Sequence, residues 1–253
     1  MLPRLATARQ DSKMHQMYDR SAAYYDLIYR ELKDYRLEAE KIDTLLKRFD
    51  SSASRLLDVG CGTGEHAKRL SQDHGYKVDG VDIEPTFVEI SQEKNPEGRF
   101  VTADMKDFDL GRSYDALLCL FSSIGYSGSL EGLRQSFRCF ARHLKRNGLL
   151  LCEPWVDSDH WSPGLIDTTE TRDPASGLEI KRVREASTEG KQSVLSITYT
   201  VAVDGRSESF AETHRLGLFS KAETNEALEQ AGFELLSDNF DPIRGRLFVA
   251  TRR

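Results

Sequence analysis

The sequence has no apolar run approaching the roughly 20 residues that a membrane-spanning helix needs. Met1 to Lys13 is polar and lacks the apolar core of a secretory signal. Cysteine is scarce: Cys61, Cys119, Cys139 and Cys152 are scattered, none forms a CxxC pair, and three lie in apolar segments. Free buried thiols suit a reducing cytoplasm, the expected location. The six histidines, at 15, 66, 74, 143, 160 and 214, make no HExxH or other ligand spacing, so no metal is expected. Asp157-Ser158-Asp159-His160, which holds ligand-type residues, reads as a solvated loop. A basic excess is also missing: 35 lysines and arginines face 41 acidic residues, a net charge of -6. That leaves no footprint for nucleic acid. Repeats and low-complexity segments are absent.

What is present is 39% hydrophobic content over 253 residues, enough for one substantial core with room for an insertion. The chain is organised around Leu56-Leu57-Asp58-Val59-Gly60-Cys61-Gly62-Thr63-Gly64-Glu65-His66. A short apolar run ends in glycines at 60, 62 and 64, and a helical pattern follows through Ala67 and Leu70. That reads as strand, tight turn, helix. Glycine allows positive φ and lets a ligand lie on the main chain. The dinucleotide fingerprint needs its third glycine three residues after the second; Glu65 stands there, which argues against NAD. An ordinary strand-to-helix turn is the plain alternative. Asp82 weighs against it. It ends a second strand pattern, Lys77 to Val81, about 20 positions past the turn, where a carboxylate accepts both hydroxyls of a ribose.

Leu57-Asp58-Val59-Gly60-Cys61-Gly62-Thr63-Gly64 resembles motif I of the class I S-adenosylmethionine (SAM) methyltransferases, and the likeness runs over nearly the whole chain. Phe121-Ser122-Ser123-Ile124-Gly125 and Glu153-Pro154-Trp155 are similar to a narrower group. Those are the N-methyltransferases of dTDP-linked amino sugars in macrolide biosynthesis, of the mycaminose and desosamine type. The resemblance implies SAM as cofactor and S-adenosylhomocysteine as product. It implies a cofactor site of Asp58, Gly60, Gly62 and Gly64, of Asp82 with Ile83, and of Asp104 with Met105 at the adenine. It further implies that an N-terminal helical segment closes over SAM and acceptor, with Tyr25 and Tyr35 touching SAM and Tyr18 facing the acceptor. The interval from Tyr18 to Tyr25 is one residue shorter than the family pattern, and Tyr126 stands where that pattern has histidine.

The whole pattern predicts an α/β fold: a doubly wound Rossmann-like methyltransferase sheet with an N-terminal helical lid and an antiparallel β insertion after strand five. Residues 1–50 are expected to form a helical cap, irregular to about residue 12, with Tyr35 to Phe49 a helix. Residues 51–155 and 219–253 are expected to form the SAM-binding core. Its strands are predicted at 55–59, 77–81, 99–102, 114–121 and 149–152, and its helices at 64–72, 84–93 and 130–144. Ala116 to Leu120 is apolar throughout, as in a central parallel strand buried on both faces. Lys145-Arg146-Asn147-Gly148 reads as a basic helix end with an Asn-Gly stop. Residues 156–218 alternate apolar and polar, with turns at Glu189-Gly190 and Asp204-Gly205, so they read as hairpins. Such an inserted sheet can wall the acceptor site at the carboxyl ends of the core strands, or serve as a homodimer surface. Ser220 with Glu223 reads as a capping box. Phe233 to Leu236 and Leu247 to Ala250 read as a closing hairpin with Arg244 and Arg246 in its loop.

Methyl transfer from SAM is an in-line displacement at an activated sulfonium, so the protein mainly aligns nucleophile and methyl. DNA amino-methyltransferases carry an Asn/Asp-Pro-Pro-aromatic motif after strand four; Leu120-Phe121-Ser122-Ser123 stands there in this chain. A nucleic-acid acceptor is therefore not expected. Phe121 is assigned to the cofactor side, and Ser122, Ser123 and Trp155 to the acceptor. Tyr18, Tyr126 and Glu153 are the candidate catalytic residues. An amine must be neutral to attack, and Glu153 is the best-placed carboxylate to hydrogen-bond it; alternatively it orients the SAM-side loop. Arginine forks suit a sugar-nucleotide diphosphate. Arg182, Arg244 and Arg246 are the candidates, with Arg184 and Arg215 beside them. The leading reading is N-methylation of a small nucleotide-linked amino sugar. O- or N-methylation of another natural product is the alternative, and a non-catalytic SAM-binding protein is a third.

Overall fold

The computed structural model describes residues 18, 20–30, 32–50, 52–240 and 247–253. Arg244, Arg246 and the expectation for residues 1–12 lie outside the described residues. A 3-10 turn at Ser21–Tyr24 leads into α1 (Tyr25–Tyr29) and α2 (Tyr35–Phe49). Asp34 caps α2 by accepting the Leu37 N–H, and Ala39, Ile42, Leu45 and Leu46 turn an apolar stripe inward.

The core then alternates strand and helix: β1 (Arg55–Val59), α3 (Glu65–His74), β2 (Lys77–Asp82), α4 (Pro85–Lys94), β3 (Phe100–Thr102), β4 (Tyr114–Cys119), α5 (Leu130–His143) and β5 (Leu144–Cys152). β1 runs parallel to β2 and β4, β2 to β3, and β4 to β5. After β5 the chain builds a separate antiparallel meander of β6 (Ile166–Asp173), β7 (Leu178–Glu189), β8 (Gln192–Val203) and β9 (Arg206–Gly217). α6 (Lys221–Gln230), β10 (Phe233–Phe240) and β11 (Leu247–Arg252) return to the first sheet. That sheet has seven strands in the order β10-β11-β5-β4-β1-β2-β3, with β11 antiparallel to β5. This is the predicted doubly wound α/β sheet with its antiparallel companion.

β4 is buried along its whole length. One face of the seven-strand sheet packs on α5 and α6 through Leu133, Phe137, Phe140 and Leu228. The other packs on α2 and α3 through Leu45, Leu46 and Leu70. A third cluster joins Ile28 of α1 to Ile180, Leu195 and Ile197 of the four-strand sheet. The N-terminal helices therefore bridge both sheets. Among the described residues no helix is long and apolar enough to cross a membrane, and the four cysteines are free and buried.

Two local readings are corrected. β6 was not anticipated, because its strand alternation carries almost no apolar signal: Thr171 alone is buried, and Ile166 is exposed. Lys145-Arg146-Asn147-Gly148 does not close α5. Leu144 is already extended, fully buried and paired with Tyr114, while Lys145 reaches Asp115 at 2.5 Å. Asn147, at φ 62, sits in a bulge of β5 where the register against β4 shifts between Tyr114 and Ala116.

Candidate active site

The glycine turn between β1 and α3 leaves no room for a side chain at Gly60 or Gly64. Gly60 takes φ +72, and a Cβ there would lie 2.6 Å from Ser123 Cβ. At Gly64, φ +75, it would lie 2.7 Å from both Ser91 Cβ and Asn95 Nδ2. Asp82, ending β2, accepts the Gly62 N–H at 2.8 Å on one oxygen and the Glu84 N–H at 2.9 Å on the other. Burial pushes its pKa up, and those N–H donors pull against that. Asp58 lies buried beneath the turn, and burial pushes its carboxyl up to about 6. Its Oδ2 has no hydrogen-bond partner among the described residues.

These elements edge a cavity of about 590 Å³. Gly60, Gly62, Asp82, Ile83, Asp104 and Met105 line its core side. Tyr18, Tyr25, Tyr29 and Lys33 cover it from the N-terminal segment, and Arg182, Tyr199 and His214 close it from the four-strand sheet. Phe121, Ser122, Ser123, Tyr126, Glu153 and Trp155 complete the wall. Three predicted residues stand off it. Gly64 is enclosed by α4, and Asp58 lies below the surface. Tyr35 opens α2 with its ring 4.9 Å from His66 and edges a neighbouring groove instead.

After β4 the backbone turns left-handed at Phe121, φ 51, and Ser122, φ 62. Two contacts from the end of β5 hold that turn. Glu153 Oε2 accepts the Phe121 N–H at 2.7 Å, and Ser122 Oγ donates to the Pro154 carbonyl at 3.1 Å. Beyond it the Tyr18 and Tyr126 hydroxyls are 2.8 Å apart, and Tyr126 Oη lies 2.9 Å from His214 Nδ1. Burial raises the pKa of both tyrosines, so both stay protonated. His214 was missed in the sequence. Its signal was its place in β9, where Phe210, His214 and Leu216 alternate inward.

Arg182 is 8% exposed, hydrogen-bonds Tyr199 and has its guanidinium 5.9 Å from the Tyr29 ring centre. No carboxylate forms an ion pair with it among the described residues. Arg184, also on the cavity, is held by Asp167 at 2.7 Å. Arg215 is on the other side, paired with Glu189 at 3.1 Å. Among the described residues no three His, Cys, Asp or Glu side chains gather as metal ligands.

A methyltransferase-domain family model matches residues 56–148. A dTDP-3-amino-3,6-dideoxy-alpha-D-glucopyranose N,N-dimethyltransferase of Streptomyces fradiae is 33% identical over 216 residues, covering 85% of this chain and 84% of that protein. The chain belongs to the SAM-dependent methyltransferases. Its fold agrees with solved members. DesVI of Streptomyces venezuelae matches this methyltransferase with a TM-score of 0.85 at 31% identity, over 92% of this chain and 98% of that one. SAM-bound CalS10, an amino pentose methyltransferase from Micromonospora echinaspora, matches with a TM-score of 0.79 at 27% identity, over 97% and 100%. The methyltransferase uses SAM, and its cavity brings the glycine turn, the N-terminal tyrosines and the second sheet together.

Proposed function

We propose that this methyltransferase moves a methyl group from SAM to the amine of a dTDP-linked amino deoxysugar. Arg182 carries the acceptor reading. Asp167 acts on this buried guanidinium through space only, with no direct ion pair, and a diphosphate entering the cavity supplies a directly bound anion with matching geometry. The Streptomyces fradiae relative acts on a sugar with such a dTDP group.

The residues present fit the cofactor. Gly60 and Gly62 leave the main chain bare, and Asp82 keeps lone pairs for the ribose hydroxyls. Asp104 with Met105 and Ile83 frames the adenine side, and Tyr25 and Phe121 cover the methionyl part. The buried Asp58 carboxylate, below the glycine turn, adds negative charge on the side where the cofactor's ammonium would sit, without edging the cavity itself. When bound, SAM supplies a methyl on an activated sulfonium, ready for in-line displacement.

At the acceptor end, the Tyr18 hydroxyl accepts an N–H of the substrate amine. Tyr18 donates to Tyr126 and Tyr126 to His214 Nδ1, so one proton leaves the nitrogen and one arrives at the imidazole. The tyrosines act as a hydrogen-bonded bridge and the histidine as the base. Glu153 reaches the reacting centre through the Phe121 backbone. Ser122, Ser123 and Trp155 frame the sugar.

The test is mass spectrometry of dTDP-linked 3-amino and 4-amino deoxysugars incubated with the protein and SAM. Gains of one or two methyl masses are expected. No gain with SAM binding intact would sink the acceptor reading and leave the methyltransferase.

A further inference from the structure

α1 is five residues long. A helix that short does not hold itself in water, yet Tyr25 and Tyr29 must be held over the cavity to cover it. Ile28 is its buried apolar anchor, and it packs on the four-strand sheet. On the core side the attachment is polar. Asp26 Oδ1 accepts the Thr63 hydroxyl at 2.5 Å, and Asp26 Oδ2 accepts Lys94 Nζ at 2.5 Å. Lys94 also pairs with Glu65 at 2.8 Å. Thr63 is buried inside the glycine turn itself, Glu65 opens α3, and Lys94 ends α4. One carboxylate thus joins the covering helix to the turn that cradles the cofactor.

The opposite end of the same segment is tied to the acceptor side. The Ser21 N–H and hydroxyl both donate to Glu212 of β9, at 3.0 and 2.7 Å. Glu212 lies two residues before His214 on that strand.

We propose that Asp26 is a positioning residue that docks α1 on the glycine turn and so retains bound SAM beneath Tyr25 and Tyr29. Asp26 does not edge the main cavity; it acts through Thr63 and through the two tyrosines. The Thr63 bond is the informative half, because it links the helix to a residue whose own backbone shapes the cofactor site. The Lys94 pair supplies charge to hold the carboxylate there. This rests on SAM as cofactor and is independent of the acceptor.

Asp26→Ala, Thr63→Val and the double variant are compared by calorimetry with SAM, by SAM dissociation rate, and by amide exchange over residues 20–30. Asp26→Ala is expected to weaken SAM binding about 10- to 100-fold, the range for losing hydrogen bonds to a charged group. The loss should fall on the dissociation rate, with exchange over 20–30 accelerated in the SAM complex. Thr63→Val keeps the side-chain shape and should weaken SAM in the same sense. The double variant should be no weaker than Asp26→Ala, since the two residues share one contact. Turnover at saturating SAM should fall less than SAM affinity in Asp26→Ala, a KM-against-kcat split that separates positioning from chemistry. Unchanged SAM affinity in a folded Asp26→Ala protein overturns the proposal. Additive losses also overturn it, because they mean that Asp26 and Thr63 act apart. If Asp26→Ala does not fold, Asp26→Asn with Thr63→Val decides by the same readouts.

Discussion

Tyr126 Oη lies 2.9 Å from Nδ1 of His214, joining the turn after β4 to the inner face of β9. The contact spans 88 residues of sequence and closes a hydrogen-bonded row that begins at Tyr18. Tyr126→Phe and His214→Asn should each lower kcat about 100-fold, within the range for lost proton transfer. SAM affinity should stay within about twofold in both, because neither side chain touches the glycine turn. Steady-state kinetics with calorimetry checks this.

Asp82 holds the Gly62 N–H and faces the cavity. Asp82→Ala should weaken SAM by about 100-fold, since it removes charge-assisted bonds on both sides at once. Titration calorimetry reads the loss directly; an unchanged Kd would mean that the ribose lies elsewhere.

Asp58 has a pH signature. Burial places its folded pKa at about 6, above the roughly 3.9 of an unfolded aspartate. The folded state therefore binds this proton more tightly, and the Asp58 contribution to ligand-free stability falls as pH rises from about 4 to about 6. Asp58→Asn lacks that titration. Its stability relative to wild type should improve by about 2–3 kcal/mol over that window. Saturating SAM should narrow that gain above pH 7, because the cofactor's positive charge lowers the cost of the buried carboxylate. Thermal unfolding across pH, with and without SAM, tests both halves.

Arg182→Met should raise the KM for the sugar nucleotide about 100-fold, as expected for losing a buried charge-assisted contact. SAM binding should be unaffected. Arg215→Met is the control; its partner Glu189 lies on the exposed side, and its KM should not move. Equal KM values for the two variants would remove Arg182 from the acceptor site.

Glu153→Ala leaves the Phe121 N–H without its partner and should release the left-handed turn. Glu153→Gln keeps an acceptor oxygen there and should fall less far in kcat. The opposite ranking would place the Glu153 charge in the chemistry.

Much of this was legible before any coordinate. Leu56 to Val59 and Lys77 to Val81 read as strands from short runs ending at a glycine turn and an acid, and Ala116 to Leu120 because a buried parallel strand is apolar on both faces. The Ser220–Glu223 capping box is present in both halves, because a cap is a contact between residues three apart. The glycine turn was legible because positive φ leaves glycine as the residue that fits. β6 was hidden, because its pairing with β7 uses backbone bonds that polar side chains do not reveal. The bulge at Asn147-Gly148 was misread for a related reason: an Asn-Gly pair serves a helix end and a strand irregularity equally well.

The sequence by itself determined the strand–turn–helix at Gly60, the acid at the end of β2, the alternation that builds the sheet and the change of rhythm after Cys152. These rest on contacts between neighbours or on periodicity, and both are written locally. Tertiary structure alone decided which side chains meet across the cavity. His214 reaches Tyr126, Glu153 takes the Phe121 N–H, Asp26 takes the Thr63 hydroxyl, and Arg182 is left without a direct ion pair. Each depends on how two sheets and a five-residue helix pack, and packing of residues far apart in the chain leaves no period or spacing to read.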